Sequence, residues 1–585
     1  MLRTLALLAA TGVFVLPLAA QDRGGGGIPR GDCVSPEQTK AILARVEAFR
    51  SKQPSAPGIA SVDPERYPFQ PFAGNLWDDV HTFNFVDLDP SFGLRDFDCL
   101  QWTYDTHRGH DTHLHSFAEM DRGVPVFAAI AGVVVDLHDG EPDRNINPSS
   151  LPSNYVILWH GGTHYSWYLH LRRNSVAVTL GQRVAGGQQL GLVGSSGNSS
   201  WPHLHFESWH DNAHYEPDAG VCRAGASRWV NPIARRRGAW VSDLNIGPGD
   251  FHAQPRLPND YVRQGRWGTG WQYIGFWFQY HDLPPNTTAR VRWLRPDDSV
   301  AIDSGAGPFG NPAGAVWDWV WFRWWVFCDV VGSWRIEIEL NGAVVATMPF
   351  DVYTDPLSSP NRPPEPLQSI RFEPAQPSPG DVLFCRVAQG LLRDRDQDLV
   401  TQRYLWRING AIVRDVTHAG RADCLRDDAL RPGDLVTCAV TPNDGLANGA
   451  TRTVSASVAQ GACLALSLRG HGHADGSGKP LALGPGARDV GFAPDAGAMS
   501  LLAISLQPCG VGLPLGQFAP CTLPAAILLP DPVQGPLLTV GGAALAVPAI
   551  LPWCFCVQGI ELSPLPGGLG FCLKATHGYH LIVRC

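Results

Sequence analysis

Trp201-Pro202-His203-Leu204-His205-Phe206-Glu207 is the stretch on which the reading of this chain turns. In an extended segment successive side chains alternate between faces, so His203 and His205 project from the same side. One of them can hold a metal ion while the other waits beside the water that the metal activates. A Gly/Ser-rich turn over 194–200 precedes the segment, as a turn precedes a short strand entering a site. Upstream, His107-Arg108-Gly109-His110-Asp111 supplies an imidazole and a carboxylate four residues apart. Together the two segments point to a zinc hydrolase.

The chain has 585 residues. That is too long for one core and predicts about three to five domains. Its 44% hydrophobic and 17% charged content fits folded protein, and its 63 Gly and 49 Pro call for many turns and a β-rich architecture. A net charge of −9 gives no reason to propose nucleic acid or an anionic membrane as partner. Arg3, the apolar stretch 5–18 and Leu18-Ala19-Ala20 read as a secretory signal cleaved near Ala20. The mature chain is therefore expected outside the cytoplasm, whether periplasmic, cell-surface or extracellular. Gly541, Gly542, Pro548 and Pro552 interrupt the apolar run 537–553, which falls short of the about 20 residues a membrane span needs. A buried strand pair is expected there, and no transmembrane segment. Fourteen cysteines suit an oxidising compartment. The wide spacing of Cys463, Cys509, Cys521, Cys554, Cys556, Cys572 and Cys585 favours disulfides over a zinc knuckle.

Along the chain, 1–20 is read as the signal and 21–74 as an N-terminal segment with a short helix. Ser35-Pro36-Glu37-Gln38 is a capping box with Pro at the first helical position, opening a helix to about Lys52. Residues 75–235 read as short strands between Gly-containing turns, a compact antiparallel β domain. A segment over 250–355 is dense in aromatics, among them Trp271, Trp277, Trp317, Trp319, Trp321 and Trp325, and predicts a β-sandwich with these rings in its core, the alternative being a carbohydrate-binding face. Asn341-Gly342 marks a hairpin turn within it. Over 366–460, Cys385, Trp406 and Cys438 stand in the order of an immunoglobulin-like module, in which a core Trp packs on an inter-sheet disulfide. There Asp394-Arg395-Asp396-Gln397-Asp398 begins like a calcium loop, lacks the Gly and distal Glu of an EF-hand, and is read as a solvated acidic turn. Residues 461–585 form a Cys-rich C-terminal segment.

Taken together, His107-x-Gly-x-Asp111, the run 123–129 with Gly132-Val133-Val134, Tyr168-Leu169-His170-Leu171, 181–184, 187–191, 194–197 and 202–207 resemble the LytM/lysostaphin-type zinc metallopeptidases in order and spacing. The resemblance implies a mainly β fold and a secreted zinc metalloendopeptidase. It makes His107, Asp111 and His205 the ligands of one catalytic zinc, with His203 and His170 beside it as general base and transition-state stabiliser. It also implies peptidoglycan cross-links or stem peptides, or a Gly-rich peptide, as substrate. The alternative is an inactive scaffold that activates wall hydrolases or binds a surface. One departure is a long insert over 112–122, whose His113-Leu114-His115 repeats the catalytic spacing. Those two histidines are assigned to the insert, His110 is read as a neighbour of the site, and His471-Gly472-His473 as an exposed turn.

Overall fold

The structure is a computed structural model. It describes residues 34–52, 66–145, 151–248, 262–309, 315–357, 359–378, 381–426 and 430–459, with short backbone strands beyond. The expectations for 1–20, His471-Gly472-His473 and the pairing of the C-terminal cysteines lie outside the described residues. Two compact units divide the chain: residues 1–377, 381–427 and 434–457 form the first, and the remainder forms the second. In the second, backbone strands between Ile504 and Arg584 form a five-stranded antiparallel sheet.

Helix α1 (Pro36–Arg50) starts as its sequence predicts. The Ser35 hydroxyl accepts the Gln38 amide and the Gln38 side chain returns to the Ser35 amide, which satisfies two donors that the first turn cannot. Strands β1 (His81–Asn84), β2 (His110–His113), β4 (Gly132–His138), β5 (Asn154–Gly161), β6 (His164–Leu171), β7 (Arg183–Val184), β9 (His203–His210) and β10 (Ala213–Tyr215) build one sheet. Its order is β1-β2-β9-β6-β5-β4-β7, with β10 added on β9. Between β2 and β4, the insert folds into a helix, α2 (Phe117–Asp121), capped by Ser116. Strand β3 (Pro125–Phe127) pairs with β8 (Gln189–Leu192) in a small second sheet.

Both faces of the large sheet are covered, which explains why β5 and β6 are buried along nearly their whole length. Leu158, Tyr168, Leu204 and Phe206 pack on one side with Val126, Phe127 and Leu190. On the other, Ile157, Trp167 and Trp209 receive Ile42 and Val46 of α1. The Trp167 and Trp209 rings stack at 4.8 Å, and burying each side chain stabilises the fold by about 2–3 kcal/mol. On β9 the even residues thus enter the first core, while His203, His205 and Glu207 share the face of Trp209.

The next module is a β-sandwich. Strands Trp240–Pro248, Gly270–Leu283 and Ala315–Cys328 form one sheet, so the sandwich takes a strand from ahead of the expected 250–355 span. Phe276 and Trp324 of that sheet meet Trp293 of the facing one at 5.8 and 5.9 Å. Trp277, Trp319 and Trp321 are buried, but on the face of that sheet turned away from the sandwich core that was expected to hold them, with Trp317 packed against them. Trp271 and Trp325 depart from the expectation and are 65% and 63% exposed. Asn341 and Gly342 have φ of 49° and 83°, the left-handed pair that a two-residue hairpin turn requires.

In the 366–460 segment, a three-stranded sheet and a four-stranded sheet surround Trp406, which is fully buried. Cys385 and Cys438 are separate buried thiols rather than a disulfide. Trp406 is instead held by a stack on Phe372 at 5.5 Å and by its Nε1–H donating to Asp423 at 2.7 Å. Asp394 and Asp396 are 2% and 5% exposed, which corrects the reading of that loop as solvated. A disulfide joins Cys99 to Cys222.

Candidate metal centre

Antiparallel pairing of β2 with β9 sets Asp111 opposite His205 and His113 opposite His203. The loop before β2 carries His107, and β6, the other neighbour of β9, carries His170. All five expected site residues therefore meet, and each is at most 2% exposed. Asp111 Oδ1 sits at their centre, 2.7 Å from His205 Nδ1, 3.3 Å from His107 Nε2 and 3.4 Å from His203 Nε2. His107 Nε2 and His205 Nδ1 are 3.3 Å apart.

The outer partner of each ring fixes its tautomer, because a carbonyl or carboxylate oxygen can only accept. His107 Nδ1–H donates to the Phe85 carbonyl at 2.7 Å, His203 Nδ1–H to that of Trp201 at 2.7 Å, and His170 Nδ1–H to that of Ser196 at 2.6 Å. His205 Nε2–H donates to Glu207 Oε1 at 2.9 Å. His107, His203 and His205 thus turn their inner nitrogens toward one carboxylate oxygen, and the His170 ring lies beside them, 4.5 Å from that of His203. Nitrogen and carboxylate oxygen atoms turned to one point in a buried site are disposed to ligate a shared cation. Ligand atoms of His107, Asp111 and His205 lie within 4.8 Å of one another, as do those of His170, His203 and His205. Two nitrogens and one carboxylate oxygen suit a catalytic zinc-type ion, which takes three protein ligands and keeps a position open.

Several residues that the sequence reading did not single out support this set. Glu207 continues the period-two spacing of His203 and His205, a signal legible in the sequence. Its Oε2 accepts the Trp209 Nε1–H at 2.6 Å, and Arg108 Nε stands 3.8 Å from Oε1. Burial opposes its charge, but the His205 hydrogen bond and Arg108 hold the carboxyl down to about 2. Asn84 donates to Asp111 Oδ2 at 2.8 Å, brought there by a bulge in β1 that no local pattern announces. Burial works against Asp111 as well, yet His107 and His203 keep it well below the usual carboxylate range. His170 has φ 59°, a left-handed conformation that costs a non-glycine residue about 1–2 kcal/mol. The Ser196 carbonyl on its ring holds it in that kink.

The insert histidines are closer to the site than their assignment to the insert implied. His113 ends β2, stacks on His203 at 4.9 Å and 20°, and is 7% exposed, with neither ring nitrogen hydrogen-bonded. Burial and His203 push its pKa well below the ordinary value. It belongs to none of the metal-type groupings found among the described residues. His115 points to a separate contact, its Nε2 3.1 Å from His81 Nε2. His110 faces the opposite side of β2, against Glu216 at 2.8 Å. Trp317 of the sandwich packs on Phe83 at 4.8 Å, Trp201 at 5.7 Å and His113 at 6.1 Å.

This geometry, an imidazole-rich set with one carboxylate on a β-sheet, is that of a centre able to hold one divalent metal ion. Residues 106–217 match the model of Peptidase family M23, and the domain they form is of the LytM/lysostaphin type. Peptidoglycan DD-endopeptidase ShyA of Vibrio cholerae is 41% identical over 88 residues, 15% of this chain and 18% of that protein. Glycyl-glycine endopeptidase ALE-1 of Staphylococcus capitis is 43% identical over 73 residues, 12% of this chain and 20% of that protein. The chain thus spans about a fifth of the length of these curated relatives. The catalytic domain of lysostaphin from Staphylococcus simulans is 24% identical, covering 23% of this chain and 86% of that one, with a TM-score of 0.16, too low to bear on the fold.

Proposed function

We propose that the 75–235 domain is a zinc metalloendopeptidase acting outside the cytoplasm on peptide bonds of peptidoglycan. The observation that carries this reading is the convergence of His107, His203 and His205 on Asp111 Oδ1, with His170 beside them. His107, Asp111 and His205 are the residues that would hold the ion. Zinc in such a set supplies Lewis acidity and lowers the pKa of water to about 7. His203, with Nδ1 committed to the Trp201 carbonyl, offers Nε2 as the base that takes the proton of the attacking water. His170, with Nδ1 committed to the Ser196 carbonyl, leaves Nε2 as the atom that would stabilise negative charge on the scissile carbonyl oxygen when it carries a proton. The names of ShyA and ALE-1 support a wall peptide as substrate, and the Cys99–Cys222 disulfide suits an oxidising compartment.

The test is digestion of purified sacculi by the full chain, with released fragments identified by mass. Peptide fragments should appear, vanish with a chelator and return with zinc. Their termini report whether a DD or a glycyl-glycine bond is cut. Absence of fragments from folded, zinc-loaded protein, or cleavage indifferent to the chelator, would overturn the reading.

A further inference from the structure

Asp394-Arg395-Asp396-Gln397-Asp398 lies between strands Val382–Ala388 and Thr401–Ile408, outside the centre described above. Its three carboxylates each bring an oxygen within 4.8 Å of the other two. Asp394 Oδ1 is taken by the amides of Asp396 at 2.7 Å and Asp398 at 3.4 Å. Oδ2 is the oxygen left for a ligand, and on a side chain that is 98% buried by the 2% exposure above it meets no hydrogen-bond donor. Asp396 Oδ2 accepts the Arg362 amide at 2.7 Å, while Oδ1 has no hydrogen bond and only Arg266 Nε at 3.6 Å. Next to Arg362, Asn361 donates through Nδ2 to Asp444 at 2.9 Å, and its buried Oδ1 has no donor.

Three acidic groups gathered away from water repel one another, and Arg266, 3.6 Å from Asp396, and Arg122, which acts on Asp398, offset only part of that repulsion. The donors are all oxygen, which suits a hard cation, and calcium takes six to eight such ligands in flexible geometry. The spacing matches positions 1, 3 and 5 of an EF-hand loop, but positions 6 and 12 are Leu399 and Leu405. The remaining ligands must therefore come from elsewhere, and Asn361 Oδ1 is a neutral oxygen in the adjoining linker.

We propose that Asp394, Asp396 and Asp398 bind one calcium ion, which fastens the segment 359–366 and the strand Arg266–Gly268 to the 366–460 module. Without a bidentate Glu, and with Arg266 nearby, the affinity belongs in the weak range of extracellular modules, about 10⁻⁴–10⁻³ M. The site is independent of the peptidase reading and needs no peptidase readout to test.

The experiment uses the full chain after removal of divalent ions. Terbium luminescence sensitised by tryptophan reports binding, and thermal unfolding with and without about 5 mM calcium, above the weak limit of that range, reports coupling to the fold. Calcium should displace the terbium and raise the melting temperature by a few degrees, with magnesium giving less. Both effects should be lost in Asp394→Asn. They should also be lost in Asp398→Asn, whose side chain is only partly buried and whose fold is checked by circular dichroism. No calcium response in the wild type, an equal response to magnesium, or a response retained in both variants would overturn the proposal.

Discussion

Glu207→Gln isolates the contribution of the carboxylate behind the proposed ligand His205. Both groups that Glu207 receives are donors, His205 Nε2–H at 2.9 Å and Trp209 Nε1–H at 2.6 Å. A glutamine has one acceptor oxygen, so its NH₂ must face one of these donors. If it faces Trp209, His205 keeps its tautomer but loses a charged acceptor. If it faces His205, the ring is driven to place its proton on Nδ1, 2.7 Å from Asp111 Oδ1, and the ligand lone pair is gone. A hydrogen bond to a charged group contributes about 1.5–3 kcal/mol, and loss of a partner behind a metal ligand costs about 10–100-fold in affinity, or about 1.4–2.7 kcal/mol. Zinc affinity, measured by competition with a chromophoric chelator, should therefore fall about 10–100-fold. Melting of the metal-free proteins shows whether the variant remains folded. An unchanged affinity in a folded Glu207→Gln protein would refute the tautomer argument.

Four further outcomes are expected. His205→Ala should lose both zinc and hydrolysis, whereas His203→Ala should keep zinc, measured by metal analysis, and lose turnover by at least about 100-fold. His113→Phe keeps the ring stack and removes two unpaired buried nitrogens. It should retain zinc and leave melting unchanged or stabilised by about 1 kcal/mol, and loss of zinc would make His113 a ligand. Trp317→Ala removes ring contacts to Phe83 and Trp201 that contribute about 1–3 kcal/mol together. Stripping of zinc by a chelator should then be about five- to hundredfold faster, and an unchanged rate would show that the ring does not limit access. Asp423, fully buried, works against desolvation, but Arg414 and His418 hold it down to about 2 from 3.8. Because the folded pKa is the lower one, its stabilisation of about 2–3 kcal/mol is present above pH about 4 and lost as pH falls toward about 2. Acid unfolding of the wild type should show that limb, and Asp423→Asn should not.

His203 and His205 were legible because their spacing puts them on one face of a strand, and His107 and Asp111 as an imidazole and a carboxylate four residues apart; His170 and the ligand roles came from the resemblance. Their meeting depends on the pairing of β2 with β9, which local patterning does not specify and which the resemblance supplied. Glu207 was visible in the same alternation. Asn84 was not, since a bulge in β1 selects it. His113 was misplaced for a related reason: a one-dimensional reading treats 112–122 as added loop, whereas β2 runs on to His113 and sets it against His203. The aromatic segment showed the same limit. Alternation placed Trp317, Trp319 and Trp321 on one face, but it could not tell that Trp271 and Trp325 remain in solvent. The acidic loop was read as solvated because charge suggests exposure, while its burial is set by packing from residues distant in sequence.

The central claim is that one cation is held by His107, Asp111 and His205. X-ray absorption on the zinc-loaded full chain, beside His205→Ala, tests it most directly. The claim predicts one zinc per chain in a shell of nitrogen and oxygen at about 2.0–2.2 Å with imidazole scattering, abolished by the substitution. A sulfur-containing shell, or an unchanged spectrum and stoichiometry in His205→Ala, would contradict it.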